Sequence, residues 1–288
     1  MADGLIDGLK KLFVGKNITK KHFFLFGICL LTMFPVAFIE GDVSSNNLEM
    51  IKQLIDVGGW AVIMHAVGII LISLYLIHFI HNALKFFIWR EHQEDIEKTK
   101  AIQITPEINK TLFNHFGSIV IYYILLVAIV IGLLIPVIAT IWIPFVNILM
   151  ILAFGLLLSI SLPYMFVGFC KNYNRKGNLS PMLLFNYFPK VFLPTLILGL
   201  KTIVFGIGLL IIGFLGAVIV AILFQLFAPE KIVSALTMGI LMYVYILGTL
   251  AYYYALTYIY YDRIELQKRF NKLIKKRNPL NIERVSSN

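Results

Sequence analysis

Apolar residues along this chain come in long blocks, and the polar residues between them come in short ones. Six blocks are of membrane-crossing length: 23–38, 58–84, 116–136, 142–169, 202–227 and 232–261. About 20 apolar residues span the hydrocarbon core as a helix. Lipid supplies no hydrogen-bond partners, so each backbone must bond within itself, and blocks this long predict helices. The expected fold is all-α, a polytopic integral membrane bundle of six transmembrane helices in three hairpins, with interfacial amphipathic helices between them. Each hairpin has a lead-in, a span, a short outer turn and a return span.

The lead-ins carry their own patterns. In the first, LIDGLKKLFVGKNITKK, Leu5, Leu9, Leu12 and Phe13 share one helical face beside lysines, as in a helix lying in the membrane surface. The second contains ITPEINKTLF and the third LSPMLLFNYFPKVF, where Thr105-Pro106 and Ser180-Pro181 are helix-start signals. From 181 to 227 the chain is almost continuously apolar, too long for one crossing. Pro189 and Pro194 are expected to break it. That leaves 181–200 either in the interface, with Lys190 and Lys201 snorkelling from one edge, or folded as a re-entrant hairpin. The chain divides into a cytoplasmic amphipathic segment, 1–21, a six-span domain, 22–262, and a basic cytoplasmic tail, 263–288. In the tail Leu266, Phe270, Leu273 and Ile274 form an apolar face among Lys268, Arg269, Lys272, Lys275 and Lys276.

Composition agrees with the pattern. Of the 288 residues 59% are hydrophobic and 14% charged, and the mean hydropathy is +0.86. A soluble domain carries about 25% charged residues, so this chain lacks the means to cover a water-facing surface. Its net charge of +10 is one-sided. Every one of the 25 basic residues except Lys52 and Lys231 falls before the first block, between the second and third, between the fourth and fifth, where Lys201 stands at the start of the fifth span, or after the sixth. The positive-inside rule then predicts both termini in the cytoplasm of a cell-membrane protein. The expected partners are the bilayer and anionic lipid headgroups, with a protein partner or a second copy as further candidates; nucleic acid is not expected. The basic segment before the first span, and the lack of a small-residue cleavage site after Phe38, argue against a cleavable signal. Cys29 and Cys170 lie in the span regions and imply no disulfide framework.

Candidate chemistry is sparse. The stretch IHFIHNALKFFIWREHQED, 77–95, holds three histidines. His81 and His92 are eleven residues apart, roughly 16 Å along a helix, too far for one metal with ligands at about 2 Å. Antiparallel packing of spans two and three offers His78, His81 and His115 as a cytoplasmic histidine group. No Asp or Glu lies inside a span to assist it, so no metal and no cofactor are expected. The polar residues within or beside the spans are His65, Asn147, Lys201 and Gln225. His65, Asn147 and Gln225 all belong to the outer half by counting, and two readings stand: one polar cluster, or separate interhelical hydrogen bonds. Gly206, Gly213, Ala217 and Ala221 form a small-residue stripe suited to close helix packing. No P-loop, nucleophile elbow, HExxH or CxxC is present.

Three segments together carry a resemblance: GLKKLFVGKNITKKHFFLFGICLLTMFP; NALKFFIWREHQ with ITPEINKTLFNHFGSIVIYYILLVAIVIGLLIP; and NYNRKGNLSPMLLFNYFPKVF before a long Gly-rich span. The arrangement resembles the prokaryotic six-span membrane family catalogued as domain of unknown function 4013, over about residues 5–262. The resemblance implies the six-span fold and carries over no functional residue. The function expected is that of a non-enzymatic membrane protein binding lipid or a partner. The alternatives are a transporter or channel for an apolar or amphipathic solute, and a membrane enzyme acting on lipid through the cytoplasmic-side histidines.

Overall fold

Helices account for all six apolar blocks. The computed structural model describes residues 3–14, 17–39, 47–91, 116–173 and 180–266. Helix α1 is Asp3–Leu12 and α2 is Ile18–Met33, closed by a 3-10 turn at Pro35–Phe38. Next come α3 (Asn47–Val57), α4 (Gly59–Glu91), α5 (Phe116–Ala139) and α6 (Pro144–Asn172). Last are α7 (Pro181–Phe224) and α8 (Glu230–Tyr260), the latter continued by a π turn at Tyr261–Glu265. Six of these are long and apolar enough to cross a membrane: α2 with its 3-10 turn, α4, α5, α6, α7, and α8 with its π turn. No strand occurs among the described residues. The protein is an all-α multi-pass membrane bundle.

Two elements differ from expectation. The turn of the first hairpin contains a helix, α3. Helix α7 is unbroken over 44 residues, with Pro189 and Pro194 inside it. At 1.5 Å per residue such a helix is about 66 Å long, roughly twice the hydrocarbon thickness. A proline forfeits one helical hydrogen bond. In lipid the helix is still the one conformation that satisfies the remaining backbone groups, so proline is tolerated. Thr195, next to Pro194, turns its hydroxyl back to donate to the Val191 carbonyl at 2.6 Å. The helix starts at Pro181, where the Ser-Pro pair placed it. The lead-in 104–113 and the tail from 267 onward lie outside the described residues.

Contacts gather into two units. The first comprises α1 to α3, α4 as far as Asn82, α7 from Gly199 and α8 as far as Tyr254. Small residues set its helix spacing. A Cβ built on Gly68 of α4 would stand 2.1 Å from Thr32 Oγ1 and 2.9 Å from Thr32 Cα of α2. Gly239 of α8 lies against Leu30 of α2, and Gly213 of α7 meets Val244 of α8. Of the small-residue stripe, Gly213 and buried Ala217 face such packing, while Gly206 has nothing within 4 Å. At the end of α2, Val36, Leu54 and Ala61 form a small core that fixes α3 in place.

The second unit holds α5, α6, α7 up to Leu198, and the ends of α4 and α8. Aromatic rings dominate it. Tyr122 of α5 stacks on Phe169 of α6 with centroids 4.0 Å apart. Phe87 of α4 sits edge-on to Tyr258, and Tyr187 of α7 edge-on to Tyr260. Such pairs add about 0.5–1.5 kcal/mol beyond the area they bury. Buried Tyr164 hydrogen-bonds Thr195 at 2.5 Å, joining α6 to α7.

The Gly68 contact makes a direct prediction. Gly68→Ala forces its methyl into the Thr32 backbone and is expected to destabilise by about 1–3 kcal/mol through overpacking. Gly27→Ala, with nothing within 4 Å of its Cβ position, is expected to be neutral or slightly stabilising through helix propensity. Thermal unfolding of the two variants in detergent micelles checks the contrast.

Candidate functional site

The polar side chains of the spans serve helix ends. Pro35 ends α2, and the nearby Thr32 carbonyl accepts a hydrogen bond from His65 Nδ1 at 2.8 Å. Carbonyl oxygen only accepts, so Nδ1 carries the proton. His65 is buried. Asn147 does the corresponding work in the second unit. Helix α5 stops at Ala139, leaving the Val137 carbonyl without a helical donor, and Asn147 Nδ2 donates to it at 2.6 Å. His65 and Gln225 belong to the first unit and Asn147 to the second. Gln225 is exposed just past the end of α7.

His78 and His81 lie on α4 with ring centroids 6.2 Å apart. His92 and His115 lie outside the described residues, among which no group of three His, Cys, Asp or Glu side chains is placed to hold a metal. Lys268, Arg269, Lys272, Lys275 and Lys276 lie outside them too.

Around α1 the structure is more specific. The buried face of α1 is Leu5, Gly8 and Leu12, an i, i+3, i+7 stripe. Gly8 lets the helix touch α8: a Cβ there would be 3.0 Å from Tyr254 Cβ and 3.1 Å from the Ala251 carbonyl oxygen. Lys10 and Lys11 occupy the last turn, where they offset the helix dipole. A second attachment is His22, at the start of α2. Its Nε2 donates to the Leu12 carbonyl at 2.9 Å, and in the neutral ring its Nδ1 accepts from the Tyr243 hydroxyl at 2.6 Å. Phe13 stacks on the same imidazole at 4.6 Å. The amphipathic segment is thus docked on the spans of its own unit.

Docking creates a cleft. Leu5 and Ile6 of α1, with Leu200, Lys201, Val204 and Phe205 of α7, line an apolar space of about 550 Å³. Lys201 is half-buried. Val204 is 73% exposed and Ile6 52%, so the cleft is open at the protein surface. Of its lining, Leu5 and Lys201 were singled out by sequence. Gly8 on an otherwise apolar helical face was the available signal for the docking; nothing local announced that α7 would form the opposite wall.

In the second unit, sequence reading missed a partly buried ion pair. Lys171, at the end of α6, contacts Glu265 Oε1 at 2.5 Å. The π turn delivers Glu265, which is 8% exposed. Tyr173 closes α6 in a left-handed conformation (φ 51°), its amide bonded to the Phe169 carbonyl. A bulky residue at positive φ is strained, and packing against the Phe169 ring holds it. Burial pushes the Tyr173 phenol above its usual range, so it stays neutral.

Removing one partner of a buried pair strands the other charge. Lys171→Met is expected to cost roughly 3 kcal/mol, the low end for buried pairs, because the Lys171 side chain keeps 28% of its surface exposed. The double variant Lys171→Met with Glu265→Met is expected to recover most of that loss, as seen in denaturant midpoints. Comparison with protein-family models, with curated proteins and with solved structures finds no match to this chain.

Proposed function

We propose that this is a non-enzymatic multi-pass protein of the cell membrane, with both termini cytoplasmic, that binds anionic lipid at its cytoplasmic face. The supporting observation is the cleft between α1 and α7. An acyl chain fits against Leu5, Ile6, Leu200, Val204 and Phe205, and a phosphate meets Lys201 at its edge. A lysine stem can lie along apolar surface while its ammonium reaches the headgroup level. Lys10 and Lys11 on α1, and the basic tail beyond the π turn, add to the positive charge on that side. Each basic residue near an anionic leaflet contributes about 1 kcal/mol of attraction. His65 and Asn147 already serve helix-end carbonyls, which speaks against a transport path that needs them to face water.

A ligand that binds only the folded state raises its stability by mass action. Added phosphatidylglycerol is expected to raise the unfolding temperature of the purified protein by several degrees more than phosphatidylcholine does. Lys201→Ala, which removes the charge, and Val204→Trp, which fills the cleft, are each expected to abolish that difference. Equal responses to the two lipids, or an unchanged response in Lys201→Ala, would overturn the reading.

A further inference from the structure

A different cavity, also of about 550 Å³, lies where α2 ends. Its lining includes Phe38 of the 3-10 turn, Gln53, Asp56 and Val57 of α3, Trp60 of α4 and Lys231 of α8. None of these residues belongs to the lysine cleft.

The walls are built, not incidental. Leu54 is 1% exposed and plants α3 on Val36 and Ala61. The joint between α3 and α4 is Gly58, at φ 136°, a conformation that side-chain-bearing residues rarely adopt. A Cβ there would lie 3.1 Å from the Trp60 indole, which folds back against the turn. The Trp60 ring meets the Phe38 ring edge-on, with centroids 5.7 Å apart at 84°. Lys231 Nζ stands 5.1 Å from the Phe38 centroid, so this ring already holds a cation by its face.

Charge decides what fits. Asp56 and Lys231 line one cavity, yet among the described residues neither forms an ion pair. An anion alone would be repelled by Asp56, and a cation alone by Lys231. A molecule carrying both charges a few ångströms apart satisfies both, through charge-assisted hydrogen bonds. We infer that this cavity binds phosphoethanolamine, free or as the headgroup of a phospholipid. The ammonium sits between the Asp56 carboxylate and the Trp60 ring, and the phosphate sits on Lys231. Asp56 needs N–H donors, which phosphocholine lacks, so the ethanolamine form is preferred. Trp60 is 43% exposed, as suits an aromatic ring at headgroup level.

Trp60 is its own reporter. The protein has three tryptophans, Trp60, Trp89 and Trp142, so Trp89→Phe with Trp142→Phe isolates its fluorescence. The full-length chain in detergent is titrated with O-phosphoethanolamine, and in a parallel arm it is reconstituted in phosphatidylglycerol nanodiscs containing increasing phosphatidylethanolamine. A saturable Trp60 change is expected, weakened at least tenfold by Asp56→Asn and by Lys231→Gln, and retained in Asp56→Glu and Lys231→Arg. Phosphocholine is expected to bind more weakly. Response to the soluble zwitterion identifies a site open to free solute; response only in nanodiscs identifies a lipid headgroup site. Absence of saturation in both arms, or a response indifferent to both charge-removing substitutions, overturns the inference. Asp56 and Lys231 are exposed, so the variants should match the parent in thermal unfolding.

Discussion

Hydrocarbon neither donates nor accepts hydrogen bonds, and the disposition of polar groups in this protein follows from that. Where a span ends, carbonyls lose their helical donors, and at two such ends a side chain is brought to one: His65 to Thr32 and Asn147 to Val137. Inside α7 the Thr195 hydroxyl bonds back to the Val191 carbonyl and joins Tyr164 of α6. Prolines 136, 163, 189 and 194 lie within helices of this chain.

Spacing between helices is the second determinant. Leucine-rich surfaces are indifferent to one another in lipid, so close approach needs small residues. Gly68, Gly213 and Gly239 supply it in the first unit, and Gly8 extends the same device to the amphipathic segment. Aromatic pairs are prominent in the second unit, Tyr122 stacked on Phe169 and Phe87 edge-on to Tyr258. The lysine cleft is a by-product of this economy of contact. Gly8 brings α1 onto α8, and the wider side chains Leu5 and Ile6 are left facing α7 across a gap.

Block length made the six spans legible, because a 20-residue apolar run in lipid has one outcome. Helix α3 was legible in principle: Leu48, Ile51, Leu54 and Ile55 follow helical spacing. An 11-residue helix is marginal on its own, however, and it takes the docking of Leu54 to fix this one. The effect of Pro189 and Pro194 was misjudged, since propensities measured in water overstate proline's power to end a helix in lipid. His22 with Tyr243 is separated by 221 residues, and Lys171 with Glu265 by 94. No local pattern can name such partners. The cavity of Asp56 and Lys231 was invisible for the same reason: the two are far apart in sequence, and only the fold brings them to one lining.

The π turn at Tyr261–Glu265 changes the phase of the last helix. An α-helix advances about 100° per residue, and a π turn is an α-helix carrying one extra residue in its turn. Glu265, at its end, therefore points about one residue-step away from where α8 alone would aim it. A helical wheel drawn straight through 230–266 assigns Glu265 to the wrong face and so conceals the partner of Lys171. In evolutionary terms the turn behaves as an accommodated insertion. Loss of one residue within it would turn Glu265 away from Lys171.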